Sequence, residues 1–456
     1  MIPTVASGER SGPSPLVSKP AQPADLLVRG AWACDPREGI DGPLDVLVRG
    51  GEISQLGAPG SVPAPPGAEV VDGERRHLLP GFVDPHVHLR VPGDEHEEDL
   101  DSGTRAAAAG GFVAVIAMPN TKPPLDSPPI LRSLREAASH EARVPVGFLA
   151  AITRGQHGSA LTDMAELRET GALGFSDDGV PVQGAGILRR ALQYQRLCGG
   201  VLALHEEDPT LSGDGVMHEG EVSALLGMTG IPAVSESTMV ARDAALARYE
   251  DGRVHMLHLS AAESVEAVAA AKAAGAKVTA EVSPHHLILT HEAVRSLDTR
   301  TKMNPPLRAE KDRRALVAAL CDGTIDCVAT DHAPHAPEEK EAPFEEAPMG
   351  TTGLETAFAV LHSELVRPGL LSLATLVERM TAGARVYDLP VPRLAVGEAA
   401  NFCLADLDAD WTVGESGYES RSENCCFSGR TLSGRILLTV AAGAIAYRER
   451  ALALVA

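Results

Sequence analysis

The segment GFVDPHVHLRVPG, residues 81–93, joins an apolar run to two histidines and an arginine. Successive side chains of an extended strand point to opposite faces, so His86, His88 and Arg90 are expected to share one face. Histidine is a common metal ligand. The segment therefore predicts a buried strand that ends in a metal site, with a hydrogen-bonded core pair as the second interpretation of the histidines.

Similar apolar segments recur along the chain, each followed by a loop and a helical pattern. They cover residues 112–118, 144–152, 172–178, 201–205, 254–260, 277–283 and 325–331. Amphipathic stretches with apolar residues three and four apart lie between most of them, for example 130–142, 186–199, 264–275 and 311–323. With the first segment this makes eight strand and helix units. They predict an α/β fold of the TIM type, a (β/α)8 barrel whose chemistry lies at the C-terminal ends of the strands.

The two chain ends have a different texture. Residues 1–23 are rich in Pro, Ser and Gly and predict a disordered leader. Short alternating segments within residues 24–80 and again within 389–456 are typical of antiparallel strands. We expect these two ranges to build one small β domain together, and residues 81–388 to form the barrel.

Composition narrows the functional class. The chain has 62 acidic and 40 basic residues, a formal net charge of −22, which argues against a nucleic-acid partner. There is neither an apolar run of about 20 residues nor a signal-peptide layout, so no membrane partner and a cytoplasmic location are expected. The seven cysteines are scattered without a CxxC pair, and we expect them to be reduced.

Polar side chains fall at the ends of five predicted strands. They are His86 and His88, Asp177 and Asp178, His205, His258, and Asp331. Imidazole and carboxylate groups suit zinc or a similar divalent ion. Five or six ligands exceed what one tetrahedral ion uses, so two ions bridged by one carboxylate are predicted. His255 lies on the face opposite to His258, and we choose His258 because it is nearer the end of the strand.

Several phrases together resemble one family. GFVDPHVHLR, MPNTKP, GFSDDG, SPHHL, KMNPPLR and ATDHAPH are similar to the class I bacterial dihydroorotases, within the amidohydrolase superfamily. The resemblance runs from about residue 78 to 360, and the flanking strands fit the composite β domain of that family. It implies two Zn2+ ions per subunit, held by a ligand set of His86, His88, Asp178, His205, His258 and Asp331.

The fourth strand separates this family from its neighbours. Hydantoinases and allantoinases usually bridge their metals with a carboxylated lysine, and this chain has no lysine between Lys122 and Lys272. In the class I dihydroorotases the second Asp of the DDG phrase takes that place, which is Asp178 here. Asp177 would then point away or cap the following turn.

The resemblance also implies a reaction, the reversible hydrolysis of the cyclic amide of L-dihydroorotate to N-carbamoyl-L-aspartate in pyrimidine (UMP) biosynthesis. A water that bridges two metal ions has its pKa lowered towards about 7, which supplies hydroxide at neutral pH. Asp331 would act as the general acid and base that carries the proton to the amide nitrogen.

The substrate is an anion, and its carboxylate needs a positively charged partner. Arg90 suits this role because guanidinium pairs bidentately with carboxylate. The resemblance adds Asn120 and His335 to the carboxylate pocket and places Asn304 at the ring amide. The long charged loop after Asp331 is expected to contact the substrate through backbone groups at its end, at Pro348, Met349 and Gly350.

Two other functions stay open. A dihydropyrimidinase or hydantoinase would act on a related ring without the carboxylate, but the missing bridge lysine and Arg90 argue against it. An inactive scaffold for aspartate transcarbamoylase would have lost metal ligands, and here every ligand position is filled. The resemblance leaves open a homodimer and a complex of the active enzyme with aspartate transcarbamoylase. His285 and His286 end the seventh strand, and we expect them to support the site rather than bind metal.

Overall fold

The computed structural model describes residues 14–450 and 452. Its strands are β1 Leu26–Asp35, β2 Ile40–Arg49, β3 Glu52–Gly57, β4 Glu69–Asp72, β5 His77–Pro80, β6 Phe82–Val87, β7 Phe112–Ala117, β8 Val146–Ala150, β9 Gly174–Ser176, β10 Leu202–Leu204, β11 Met217–His218, β12 Gly230–Ile231, β13 Arg253–Met256, β14 Lys277–Val282, β15 Cys327–Val328, β16 Phe402–Thr412, β17 Thr431–Ala441 and β18 Ala444–Arg448.

Helices alternate with the strands through the middle of the chain. They are α1 Leu100–Ala109, α2 Pro128–Glu141, α3 Met164–Thr170, α4 Ala185–Cys198, α5 Pro209–Ser212, α6 Glu221–Leu226, α7 Val234–Glu250, α8 Ala262–Ala273, α9 Pro284–Ile288, α10 Glu310–Asp322, α11 Pro337–Lys340, α12 Ala357–Leu361, α13 Leu373–Thr381 and α14 Gly383–Val386. Short 3-10 turns lie at Arg154–Gln156, His291–Ser296 and Thr299–Thr301, and a π turn lies at His362–Val366. The four helices predicted from periodicity are present as α2, α4, α8 and α10.

Eight strands form one parallel barrel. Their order is β6, β7, β8, β9, β10, β13, β14, β15, and every neighbouring pair in this order is parallel. The ring closes between its first and last strands, where Val87 bridges His332 and the His88 N–H donates to the His332 carbonyl at 2.9 Å. Each of the eight predicted strand segments overlaps one of these strands, so the predicted barrel is confirmed.

The composition of the strands explains why they lie inside. The segments FVDPHV, FVAVIA and VGFLA of β6, β7 and β8 are buried at every position. Strands of a parallel sheet are covered on both faces, so they need near-continuous apolar runs rather than alternation. The polar groups embedded in these runs are therefore the positions that require a chemical explanation.

A second sheet joins the two chain ends. Its order is β18, β17, β16, β5, β1, β2, β3, with β4 added to β1. Strands from opposite ends of the sequence meet where β5 pairs antiparallel with β16, with Leu79 opposite Cys403. One apolar core that includes Leu26, Phe402 and Leu438 lies under this sheet. The composite β unit is thus confirmed, while its predicted limits at residues 80 and 388 stay a prediction.

The segment before this sheet differs from expectation. Of the predicted disordered leader, residues 1–13 lie outside the described residues. Residues 14–23 are ordered, because Val17 exchanges two backbone hydrogen bonds with Val146 (3.0 and 2.8 Å) and the Lys19 N–H donates to the Ala142 carbonyl. Leu16 and Val17 also pack against the barrel core. The prediction of disorder was wrong for residues 14–23, where these two apolar residues are embedded in a Pro- and Ser-rich stretch.

A helix that spans a bilayer needs about 20 mostly apolar residues. None of those in residues 14–450 is long and apolar enough to cross a membrane.

Candidate metal centre

Asp178, just after β9, lies at the centre of the predicted ligands. Its Oδ2 atom is 3.7 Å from His86 Nε2 and 3.5 Å from His88 Nε2. Its Oδ1 atom is 3.6 Å from both His205 Nδ1 and His258 Nε2. The two oxygens of one carboxylate therefore face two different histidine pairs.

Asp331 joins the first of these pairs. Its Oδ1 atom lies 3.4 Å from His86 Nε2 and 3.3 Å from His88 Nε2. Ligands bonded to one tetrahedral ion at about 2.0 to 2.2 Å are separated by similar distances. Asp331 is the most exposed of the six predicted ligands, at 8%. The structure thus brings together all six residues from five strand ends.

Two buried atoms of this group make no hydrogen bond within the described part of the chain. His86 Nε2 and Asp178 Oδ1 have no hydrogen-bond partner among the described residues. A buried polar atom without a partner is costly, and such atoms call for an ion or a water. Nitrogen and oxygen donors without a thiolate suit zinc and other divalent ions of similar preference. The donor set therefore fits a divalent metal.

The charges of the centre also call for a cation. Burial by itself would lower the pKa of His86, but Asp178, Glu281 and Asp331 outweigh it and raise that pKa well above its usual value. Burial would raise the pKa of Asp178, but His86 and its neighbours hold it well below the usual range. The ionised carboxylates therefore attract positive charge into this end of the barrel.

A buried carboxylate of β14 supports the first histidine. Glu281 is fully buried, its Oε1 lies 2.7 Å from His86 Nδ1, and its Oε2 lies 2.9 Å from His255 Nε2. Carboxylates in this position orient a metal-binding histidine and raise its basicity. His255, the alternative to His258, thus contacts Glu281 rather than Asp178. Sequence reasoning missed Glu281, although an acidic residue inside the apolar run KVTAEV was a usable signal.

Glu207 has the corresponding place beside the second histidine pair. Its Oε2 lies 3.2 Å from His205 Nε2 and accepts a hydrogen bond from Asn304 Nδ2 at 2.8 Å. Burial would raise the pKa of Glu207, but His205 and other donors lower it to about 2. Asn304, predicted at the substrate ring, therefore lies against the residue that orients a ligand. Glu207 carried no signal that sets it apart from Glu206.

Arg90 reaches the site by a turn and not by strand alternation. Strand β6 ends at Val87, and Arg90 has a left-handed backbone with φ 59°. The expected common face therefore does not extend to Arg90. Its Nε lies 2.7 Å from Glu97 Oε2 in an ion pair and donates to the Pro334 carbonyl at 3.1 Å, and its Nη2 lies 3.4 Å from His335 Nε2.

Glu97 links this arginine to His335. Its Oε1 lies 3.5 Å from His335 Nδ1. Burial would raise the pKa of Glu97, but His335 and Arg90 lower it to about 2. Arg90 and His335, both predicted to bind the substrate carboxylate, are thus neighbours that contact one internal carboxylate, and the sequence did not indicate Glu97.

Asn120 lies nearer the metal ligands than expected. Its Oδ1 is 2.9 Å from His88 Nδ1, and its Nδ2 donates to Asp178 Oδ2 at 3.3 Å. An acceptor at His88 Nδ1 leaves Nε2 free as the ligand atom. The structure therefore brings Asn120 to two predicted ligands, on the side of the centre that faces β7.

The end of the loop after Asp331 is held by backbone groups. The Pro348 carbonyl accepts from Lys340 Nζ at 2.7 Å, the Met349 carbonyl lies 2.9 Å from His335 Nε2, and the Gly350 N–H donates to the Lys302 carbonyl at 2.8 Å. Gly350 has φ 140°, a conformation that favours glycine. The structure thus brings this loop end beside His335.

Three residues next to the predicted ligands make contacts of another kind. Asp177 accepts hydrogen bonds from the Ile152 and Thr153 N–H groups at 2.8 and 3.1 Å, so it ties β9 to the end of β8. His286 contacts Ser283 Oγ and the Pro305 carbonyl. His285 is buried, and its Nε2 has no hydrogen-bond partner among residues 14–450.

Three residues at the same rim have a left-handed backbone. Arg90, His258 and Asp331 have φ angles of 59°, 31° and 48°. Residues other than glycine rarely adopt such angles, and they cluster at functional sites where the surrounding structure holds them. Three of the predicted site residues are therefore placed by turns that depart from regular strand geometry.

The fold, the rim of histidines and the paired carboxylates define an amidohydrolase. Residues 238–446 match the model of the amidohydrolase family, and residues 75–264 match the model described as dihydro-orotase-like. The chain is 46% identical to a dihydroorotase of Anaeromyxobacter dehalogenans, over 93% of this chain and 98% of that protein. It is 45% identical to a dihydroorotase of Pelotomaculum thermopropionicum, over 93% and 99%. The chain belongs to the dihydroorotase family.

Solved structures show the same architecture. The L-hydantoinase (dihydropyrimidinase) from Arthrobacter aurescens superposes with a TM-score of 0.83 at 25% identity, covering 94% of this chain and 97% of that one. The dihydropyrimidinase from Brevibacillus agri gives a TM-score of 0.80 at 22% identity, covering 94% and 96%. The fold of this chain is thus shared with these solved structures.

Proposed function

We propose that this chain is an active dihydroorotase, which interconverts L-dihydroorotate and N-carbamoyl-L-aspartate in pyrimidine biosynthesis and uses two zinc ions per subunit. One observation carries the proposal. Asp178 presents a separate oxygen to each histidine pair, and the class I dihydroorotases that this chain resembles have an aspartate in the same place.

Divalent ions in this centre would supply Lewis-acid polarisation of the ring carbonyl and a water whose pKa falls towards about 7. The protein side chains hold the remaining groups. Asp331 contacts His86 and His88 on one side, and its exposed fraction is larger than that of the other ligands. It is therefore suited to meet the substrate.

Asp331 is the general acid and base of the proposal. Burial would raise its pKa, but His86 and the other histidines lower it below the usual range, so the carboxylate is ionised at neutral pH. It can accept a proton when the amide bond is attacked and give it to the ring nitrogen as the ring opens. Ring closure follows the same path in reverse, and because closure consumes one proton, lower pH favours the ring.

Arg90 binds the substrate carboxylate in this proposal. Its Nε is already engaged by Glu97 and the Pro334 carbonyl, which fixes the guanidinium plane and leaves the two Nη atoms as the paired donors that a carboxylate prefers. His335, whose Nε2 lies 3.4 Å from Nη2, is the second residue of this carboxylate pocket. A ring without the carboxylate would leave the Nη atoms of this half-buried guanidinium without a substrate anion, which favours dihydroorotate over a hydantoin or a dihydropyrimidine.

The test is to follow the loss of dihydroorotate absorbance with wild type and Asp331→Asn, together with metal analysis of both. We expect kcat of Asp331→Asn to fall about a thousandfold or more. The substitution removes the acid and base, and with it the proton transfer that stabilises the transition state. Asp388→Asn is a matched control. Asp388 also has a left-handed backbone (φ 56°) and pairs with Arg253, away from the ligands.

Three outcomes would contradict parts of the proposal. Wild type that hydrolyses hydantoin but not dihydroorotate would refute the substrate. Full activity of Asp331→Asn would refute its role as acid and base. A metal other than zinc, or fewer than two ions per active chain, would refute the cofactor assignment.

A further inference from the structure

A segment of the composite β unit reaches the rim of the barrel. Residues 420–424, here called the strap, lie between β16 and β17. Ser422 Oγ donates to the Glu97 carbonyl at 2.6 Å, and the Arg421 N–H donates to Glu98 Oε1 at 3.1 Å. The strap therefore lies on the loop after β6 that carries Arg90, although more than 300 residues of chain separate the two.

Asn424 ends the strap and connects it to the loop after β15. Its Oδ1 accepts from the His335 N–H at 3.1 Å, and its Nδ2 donates to the Ala333 carbonyl at 3.0 Å and to the Gly350 carbonyl at 3.2 Å. The side chain thus uses its acceptor and both donors on three backbone groups. Asn424 is only 4% exposed.

These three groups belong to the two ends of one loop. Ala333 and His335 begin it, Gly350 ends it, and one backbone hydrogen bond, from the Ala333 N–H to the Thr351 carbonyl, also joins the ends. His335 in turn lies 3.4 Å from Arg90 Nη2. A single amide side chain from the β unit therefore fixes the backbone of His335 relative to the loop end that lies beside its ring.

A cavity beside Asn424 determines how the loop would respond to loss of the amide side chain. A cavity of about 320 Å3 is lined by Asn424, His335 and Lys340 among others. Water from this cavity can satisfy the backbone groups if the amide is removed, but it does not impose their geometry. The loop would then stay folded while His335 loses its fixed position.

We propose that Asn424 is a positioning residue for substrate binding, which acts through His335 and holds it in register with Arg90 for the substrate carboxylate. The inference rests on the proposed dihydroorotase function. Because the carboxylate does not react, its binding contributes equally to the ground state and the transition state. Loss of Asn424 should therefore raise KM and leave kcat nearly unchanged.

The experiment compares Asn424→Ala and Asn424→Asp with wild type, by KM and kcat for dihydroorotate, metal content and Tm. Asn424→Asp keeps the acceptor for His335 but turns an oxygen towards two carbonyl oxygens. Asn401→Ala is the matched control, because Asn401 also binds backbone groups of the β unit, at Ala442 and Ala399, away from the rim. We expect KM about tenfold higher in both Asn424 variants, with kcat within about twofold and metal content unchanged.

The result separates this inference from the function on which it rests. Wild type without dihydroorotase activity would refute the proposed function. If wild type is active, a KM within about twofold of wild type in both Asn424 variants would overturn the inference. A fall in kcat and metal content at constant KM, or failure of both variants to fold while Asn401→Ala folds, would also overturn it, because Asn424 would then support the metal centre or the fold.

Discussion

Substitution of Glu281 by Gln tests whether a buried carboxylate tunes the metal centre. The change keeps the size of the side chain and removes one negative charge. Glu281 has no exposed surface, its Oε1 is 2.7 Å from His86 Nδ1 and accepts from the His258 N–H at 3.2 Å, and its Oε2 faces His255. The glutamine carbonyl can keep the contact with His86, so the charge is the main difference.

The size of the effect follows from the ionisation of this group. Burial would raise the pKa of Glu281, but His86 and His255 lower it to about 2, so the carboxylate is charged at neutral pH. A charged acceptor at Nδ1 makes Nε2 of His86 a stronger ligand, and loss of such a partner costs about 10- to 100-fold in metal affinity. This corresponds to about 1.4 to 2.7 kcal/mol.

The assay is a metal titration against a competing chelator, with activity measured at each free metal concentration. We expect Glu281→Gln to need about 10- to 100-fold more free metal for half-maximal activity and to recover when metal is added. Glu250→Gln is the control, since Glu250 is also buried but contacts Arg189 and Gln193 at the end of α7. Equal metal dependence of Glu281→Gln and wild type would refute the reasoning.

Two further predictions concern stability. Burial, with a contribution from Lys302, lowers the pKa of Lys340 to about 7. From about pH 7 to 10 the unfolded chain therefore binds more protons than the folded chain, and wild type should gain stability relative to Lys340→Met as pH rises. Parallel Tm curves for the two proteins across this range would contradict this prediction. Gly110→Ala should lose about 1 to 3 kcal/mol, because its Cβ would lie 2.0 Å from the Leu354 carbonyl oxygen. Gly186→Ala in α4, with no atom within 4 Å of the new Cβ, should keep or gain stability in the same urea unfolding assay.

Most of the barrel could be predicted from the sequence, because parallel strands must be apolar on both faces. The runs FVAVIA and VGFLA are too short and too apolar to be surface helices, and each is followed by a helical pattern. The two halves of the β unit were also predictable, because each has short alternating segments that are typical of strands and need partner strands. The order of pairing, with β5 between β1 and β16, was not readable from either half.

The residues that support the centre were harder to find than its ligands. The predicted ligands lie at strand ends, where the barrel geometry gives them a common location. Glu281 lies inside a strand, and Asn424 arrives from another sheet, so their contacts depend on side-chain direction and long-range packing that periodicity does not encode. Residues 14–23 illustrate the same limit, because composition does not show that Val17 pairs with the backbone of Val146.

Arg90 shows where the strand argument stops being valid. Alternation placed His86 and Arg90 on one face, but β6 ends at Val87, and Arg90 reaches His335 through a left-handed turn. Strand alternation would aim the arginine into the barrel with the histidines, where a guanidinium would compete with a metal ion for Asp178 and Asp331. The turn instead carries the guanidinium beyond the predicted metal ligands, where it pairs with Glu97. The departure from regular strand geometry therefore separates the group suited to bind the substrate from the groups suited to bind the metal.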